Sequence, residues 1–76
     1  MELRGTVVRE RVGAGTKSER DAILLVTEDG RRLQLRVKGG NPLYDPNLEP
    51  FIGRIVRVEG TVAGALMIAE SAPEPV

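Results

Sequence analysis

The stretch Gly53-Arg54-Ile55-Val56-Arg57-Val58-Glu59-Gly60-Thr61-Val62 alternates apolar and charged residues between two glycines. A period of two is the mark of a strand with one face on a core and one face in water. The glycines stand where a chain turns or bends without a side-chain penalty. Leu3-Arg4-Gly5-Thr6-Val7-Val8 repeats that texture near the start. The two segments together predict a small twisted β-barrel.

The rest of the chain divides around them. Residues 3–12 read as a first strand, with Val8 and Val12 on one face and Val7, Arg9 and Arg11 on the other. That imperfect pattern fits a strand that bends or carries a bulge. Residues 13–21 are a polar loop, too long for a tight hairpin and expected to be mobile. Residues 22–28, Ala-Ile-Leu-Leu-Val-Thr-Glu, form a near-continuous apolar run. The following Asp29-Gly30 marks it as a strand leading into a type I′ hairpin. Residues 31–38 alternate, with Leu33, Leu35 and Val37 inward and Arg32, Gln34, Arg36 and Lys38 outward.

Pro42, Pro46 and Pro50 exclude a regular strand over residues 39–53. Asp45 is placed to cap one helical turn, with Pro46 at its first position. Leu48, Phe51 and Ile52 are expected to plug the open end of the barrel, as buried aromatic and aliphatic groups do. Residues 54–62 and 65–70 are the fourth and fifth strands, joined at Ala63-Gly64. Residues 71–76 read as a frayed tail. The fold class is therefore all-β, five strands with a short helical or irregular plug between the third and fourth, in one domain spanning 1–76.

Composition narrows the chemistry. The chain has 76 residues, 11 basic and 11 acidic, and neither cysteine nor histidine. Disulfides, thiolate metal sites, Cys nucleophiles and His-based triads are thereby excluded. Ser18 and Ser71 have no histidine to activate them. Asp21, Glu28, Asp29 and Asp45 lack the spacing of a calcium loop. Gly13-Ala14-Gly15-Thr16-Lys17-Ser18 departs from the spacing of a phosphate-binding loop and precedes no helix. No cofactor, no metal and no catalytic site is expected, and the protein reads as a non-enzyme. The N-terminus lacks an apolar signal core, and no apolar run is long enough to span a membrane. A soluble cytoplasmic protein is the default expectation.

Leu3-x-Gly5-Thr6-Val7, Asp29-Gly30 and Gly53-Arg54-x-Val56-x-Val58-x-Gly60, in this order, give the chain a resemblance to small bacterial OB-fold-like proteins. The resemblance covers residues 3 to about 70 and implies a five-stranded Greek-key barrel. It also implies a ligand surface across strands two and three. That surface would carry Arg32, Gln34, Arg36 and Lys38, flanked by Arg11, Lys17 and Arg20, with Tyr44 near the rim. Read this way, Arg32, Arg36, Lys38, Lys17, Arg20 and Tyr44 form a candidate site for single-stranded nucleic acid. The expected strands two and three lack the aromatics on which bases stack, and the net charge is zero. The first expectation is therefore a non-catalytic accessory module that binds a protein partner or itself, with residues 65–69 as the seam for self-assembly. Weak nucleic-acid binding is the alternative. Arg9 and Arg57 alternate with Glu10 and Glu59, and ion pairs between strands one and four are expected.

Overall fold

In a computed structural model, which describes residues 1–17 and 19–76, the alternating segment is strand β4, Ile55–Ala63. Val56, Val58 and Gly60 point inward and are buried, while Arg57, Glu59 and Thr61 face water. The other strands are β1 (Glu2–Val12), β2 (Arg20–Thr27), β3 (Arg32–Val37), β5 (Leu66–Ala69) and β6 (Glu74–Pro75). A 3-10 turn, Pro46–Phe51, lies between β3 and β4.

The sheet runs β1-β2-β3-β5-β4-β6, and β1 also pairs with β4. Five strands thus close a ring. Only β3 and β5 are parallel; the other neighbours are antiparallel. β1 is long because it serves two partners. Glu2 to Thr6 face β4, and Gly5 to Val12 face β2. β4 likewise changes partner, from β1 over Ile55–Glu59 to β5 over Gly60–Ala63.

A glycine stands at each change. A Cβ on Gly5 would strike the carbonyl oxygen of Val26, and one on Gly60 would strike that of Ile68. Neither glycine has positive φ. Their role is to let two backbones approach, which bends both long strands into the ring.

The core is aliphatic. Val7, Ile23, Leu25, Leu33, Leu35, Val56, Val58, Met67 and Ala69 fill the ring, and Leu48 enters from the 3-10 turn. Asp45 caps that turn as expected. Its carboxylate accepts from the Asn47 N–H at 2.9 Å, and Pro46 follows at the first helical position. Leu48 is only 1% exposed. Phe51 and Ile52 are half-buried and pack on the rim of the cluster. The plug is therefore chiefly Leu48, because a 3-10 turn points few side chains in one direction.

Three expectations are corrected. The β2–β3 hairpin is not type I′. Gly30 has φ of 88°, but Asp29 keeps an ordinary φ. The turn is a three-residue one, closed by Gly30 N–H to the Thr27 carbonyl at 2.9 Å. Asp29 is held there by its side chain, which accepts from the Thr27 hydroxyl and from Arg31 Nε. Residues 65–69 offer no seam. β5 is paired on both sides, by β3 and by β4, since it closes the ring. Residues 71–76 are not a frayed tail. Val56 pairs with Pro75 and Arg57 with Glu74, and Val76 N–H donates to the Ile55 carbonyl at 3.0 Å. From Gly60↔Ala69 to Arg57↔Glu74 the chain takes three steps along β4 and five along its partner. Two extra residues are therefore accommodated at exposed Ser71–Ala72, and buried Pro73 leads the strap back to the edge.

Candidate functional site

The outward face of β1, β2, β3 and β5 is where Arg20, Arg32 and Arg36 of the expected site residues fall. The registers set its rows. One row holds Val8, Leu24, Gln34 and Leu66; a second begins with Thr6, Val26 and Arg32. A third holds Arg36 beside Ile68, with Thr61 of β4 beyond. Leu66 and Ile68 are half-buried, so this face is partly apolar.

β2 is buried on both sides. Ile23 and Leu25 join the core, while Ala22 and Leu24 are buried on the outer face. Two devices cover the outer face. Arg32 of β3 is ion-paired with Glu10 of β1, reaching across the intervening β2. Glu10 stands beside Ala22 and Arg32 beside Val26, so the bridge passes over Leu24. The second device is the segment after β3. Arg20 Nη1 donates to the Leu43 carbonyl at 2.8 Å, and Gln34 Nε2 to that of Pro42 at 3.5 Å. Both donors are outward residues, so Pro42 and Leu43 are drawn onto this face. Asn41 shapes the segment, since its side-chain oxygen accepts from the Leu43 N–H at 2.9 Å. Leu43 itself is 60% exposed.

The six expected site residues fare differently. Arg32 is committed to Glu10. Lys38 lies 3.9 Å from Glu70. Arg20 is engaged with Leu43. Lys17 is exposed in the β1–β2 loop. Tyr44 is half-buried against the core, and its hydroxyl donates to Glu49 at 2.9 Å. The neighbouring Tyr44 hydroxyl, and then the charges of Asp21 and Glu49, raise the Arg9 pKa. Arg36 alone of the six combines partial burial with no partner. Its Nε is shut away from solvent without an acceptor. The structure thus brings Arg20, Arg32 and Arg36 to one face and leaves Lys17 and Tyr44 in other surroundings.

Among the described residues none of the expected side-chain ion pairs joins β1 to β4; the N-terminal ammonium pairs with Glu59 at 3.3 Å. Arg4 stands opposite Arg57 and Glu2 opposite Glu59. Arg57 instead binds Glu74 of the strap at 2.6 Å, which with the charge of Glu2 raises its pKa. Sequence reasoning missed this because it gave the tail no position. The β1–β2 loop is folded on itself. Arg11 bridges Glu19 and Asp21, and Gly15 N–H donates to Glu19 at 3.1 Å. The Arg11 contact, followed by the Gly15 amide, holds Glu19 below the usual carboxylate range. Ser18 lies outside the described residues.

Two open depressions, about 300 and 210 Å³, include none of the six residues. The larger brings Glu2, Glu28 and Asp29 near Arg4 and Arg31. No group of carboxylates able to hold a metal ion occurs among the described residues, and no helix among them is long and apolar enough to cross a membrane. Comparison with protein-family models, curated proteins and solved structures gives no match.

Proposed function

We propose that the chain is an OB-type barrel that serves as a non-catalytic protein-interaction module. The strand order supports the fold reading: a five-strand ring, one parallel pair joining β3 to β5, and a helical turn between β3 and β4. One observation carries the functional reading. On the face where such a barrel meets its ligand, Arg32 and Lys38 already face Glu10 and Glu70, and half-buried Leu66 and Ile68 lie between them. A partly apolar surface on which two of the four cations are already matched suits another protein chain. A polyphosphate needs unmatched positive charge, and its binding is driven by the release of counterions.

The test is a titration of a labelled mixed-sequence single-stranded oligonucleotide at low salt and at about 200 mM, the range over which phosphate contacts fade. The expected result is no binding even at low salt. Micromolar binding that weakens with salt, and is lost in Arg36→Glu/Lys38→Glu, refutes the module reading in favour of nucleic acid.

A further inference from the structure

We infer that the outward face shared by β1 and β4 is a docking surface for a second copy of this chain. The register of the two strands carries it. Glu2 stands opposite Glu59, and Arg4 opposite Arg57. All four are exposed. Like charges directly opposite each other destabilise a ladder. Elsewhere among the described residues, charged residues that stand opposite each other carry different signs and pair: Arg11 with Asp21, and Arg57 with Glu74. Part of the β1–β4 charge is met within the chain. Glu59 takes the N-terminal ammonium at 3.3 Å, and Arg57 takes Glu74 at 2.6 Å. Exposed Glu2 and Arg4 make no ion pair or side-chain hydrogen bond with any described residue.

The arrangement is self-complementary. Residues two apart on a strand share a face at a spacing of about 7 Å. An acidic row, Glu2 and Glu59, therefore runs beside a basic row, Arg4 and Arg57. A two-fold axis between these rows, in the plane of contact and perpendicular to the strands, lays each acidic row on the basic row of the other copy. Glu2 then meets Arg4 of the second copy, and Arg4 meets its Glu2, the reciprocal pattern of a closed symmetric dimer. Glu59 and Arg57 meet likewise. Beyond the basic row the face continues into Ile55 and Val76, which are 57% and 64% exposed and joined by the Val76 N–H to Ile55 carbonyl bond. They add apolar area to the contact. Partners of one sign fit this face poorly. A polyanion meets Glu2 and Glu59, and a polycation meets Arg4 and Arg57. A second copy carries both rows in the matching order.

Exposed ion pairs are weak singly, so the dimer is expected to form between micromolar and millimolar chain and to depend strongly on salt. Sedimentation equilibrium measures the weight-average mass over that range at about 10 mM and about 1 M salt, between which the Debye length falls from about 30 Å to about 3 Å. The mass is expected to climb toward that of two chains at low salt, with association at least tenfold weaker at high salt. Glu2→Arg and Arg4→Glu are each expected to stay monomeric, because each sets like charges against the second copy. Mixed in equal amounts, the two variants are expected to associate again, since the cation introduced in one meets the carboxylate introduced in the other. Within the chain, Glu2→Arg faces Glu59 and Arg4→Glu faces Arg57. Each removes a like-charge contact and is expected to keep or raise Tm, which separates loss of association from unfolding.

A mass that stays at one chain at millimolar concentration and low salt overturns the inference. So does association that persists in both single variants, which places the contact elsewhere, or a mixture of the two that stays monomeric. A fall in Tm by several degrees in either variant also overturns it, because the like-charge rows are then no cost to the chain. The β3–β5 face is untouched by these substitutions, so the interaction-module reading stands or falls separately, on the oligonucleotide titration.

Discussion

Gly60→Ala is the sharpest test of how the ring is bent. The added methyl would sit against the Ile68 carbonyl oxygen, 2.8 Å from its carbon and 2.9 Å from Ala69 Cα. All three atoms are backbone, so no side chain can rotate away. Relief requires β4 and β5 to part beside the Glu70 N–H to Glu59 carbonyl bond. Overpacking of this kind costs about 1–3 kcal/mol. A stretched ladder bond adds about 1 kcal/mol. Alanine returns about 0.4–1 kcal/mol by restricting the unfolded chain. The net expectation is a loss of about 1–3.5 kcal/mol, against a total of about 4–11 kcal/mol for a domain of this length. The corresponding fall in Tm is roughly 5–30 °C. Urea unfolding followed by circular dichroism measures it. Gly15→Ala is the control: its Cβ meets nothing, and only the φ of 81° opposes it, a penalty of about 1–2 kcal/mol. If Gly60→Ala unfolds within 0.5 kcal/mol of the parent (about the error of such measurements), the close approach of β4 and β5 is refuted.

Two further outcomes follow from packing and charge. Leu48→Ala is expected to cost about 3–5 kcal/mol, since the residue is fully buried, whereas Phe51→Ala, at the half-buried rim, should cost less in the same urea experiment; the reverse order removes Leu48 as the principal plug. Asp29 titrates below the ordinary carboxylate range, chiefly through the Thr27 hydroxyl and secondarily through Arg31. A depressed folded pKa adds stability above the unfolded value, and that stability is lost as pH falls through the folded one. Thr27→Val should therefore raise the Asp29 midpoint in a carboxyl ¹³C NMR titration and flatten the acid limb of Tm against pH; an unchanged midpoint excludes the hydroxyl as the cause.

Much of the architecture was legible because it rests on local patterning. The period-two runs marked β3 and β4, and Asp45-Pro46 marked the 3-10 turn with its cap. Gly60 was recognised as a place to bend and the first strand as a bent one, though the backbone partners at Gly5 and Gly60 were not. What escaped was set by distant pairing. Nothing local in Ser71–Val76 announces a strap, since Pro73 and Pro75 read as breakers; the edge of β4 gives the segment its strand. Ala22 and Leu24 belonged to an apolar run with no face assigned, because the second buried face of β2 depends on Glu10, Arg32 and the Pro42–Leu43 segment meeting across it. The basic stripe was correct as a row on β3. Which glutamates match it was not visible, because Glu10 and Glu70 lie 22 and 32 residues from their partners.

The dual pairing of β1 has a kinetic side. Its first half pairs with β4, which begins some fifty residues later, and the parallel β3–β5 contact spans the 3-10 turn and the whole of β4. Pairings this distant along the chain must defray loop entropy before they gain anything, so folding belongs in the millisecond-to-second range typical of closed β topologies. During synthesis on the ribosome, Glu2–Thr6 can dock on β2 only through Gly5 and Thr6. The remaining backbone donors of that segment stay open until Glu59 has emerged, which makes the N-terminal half of β1 the stretch most exposed to chaperones and to mispairing before the ring shuts.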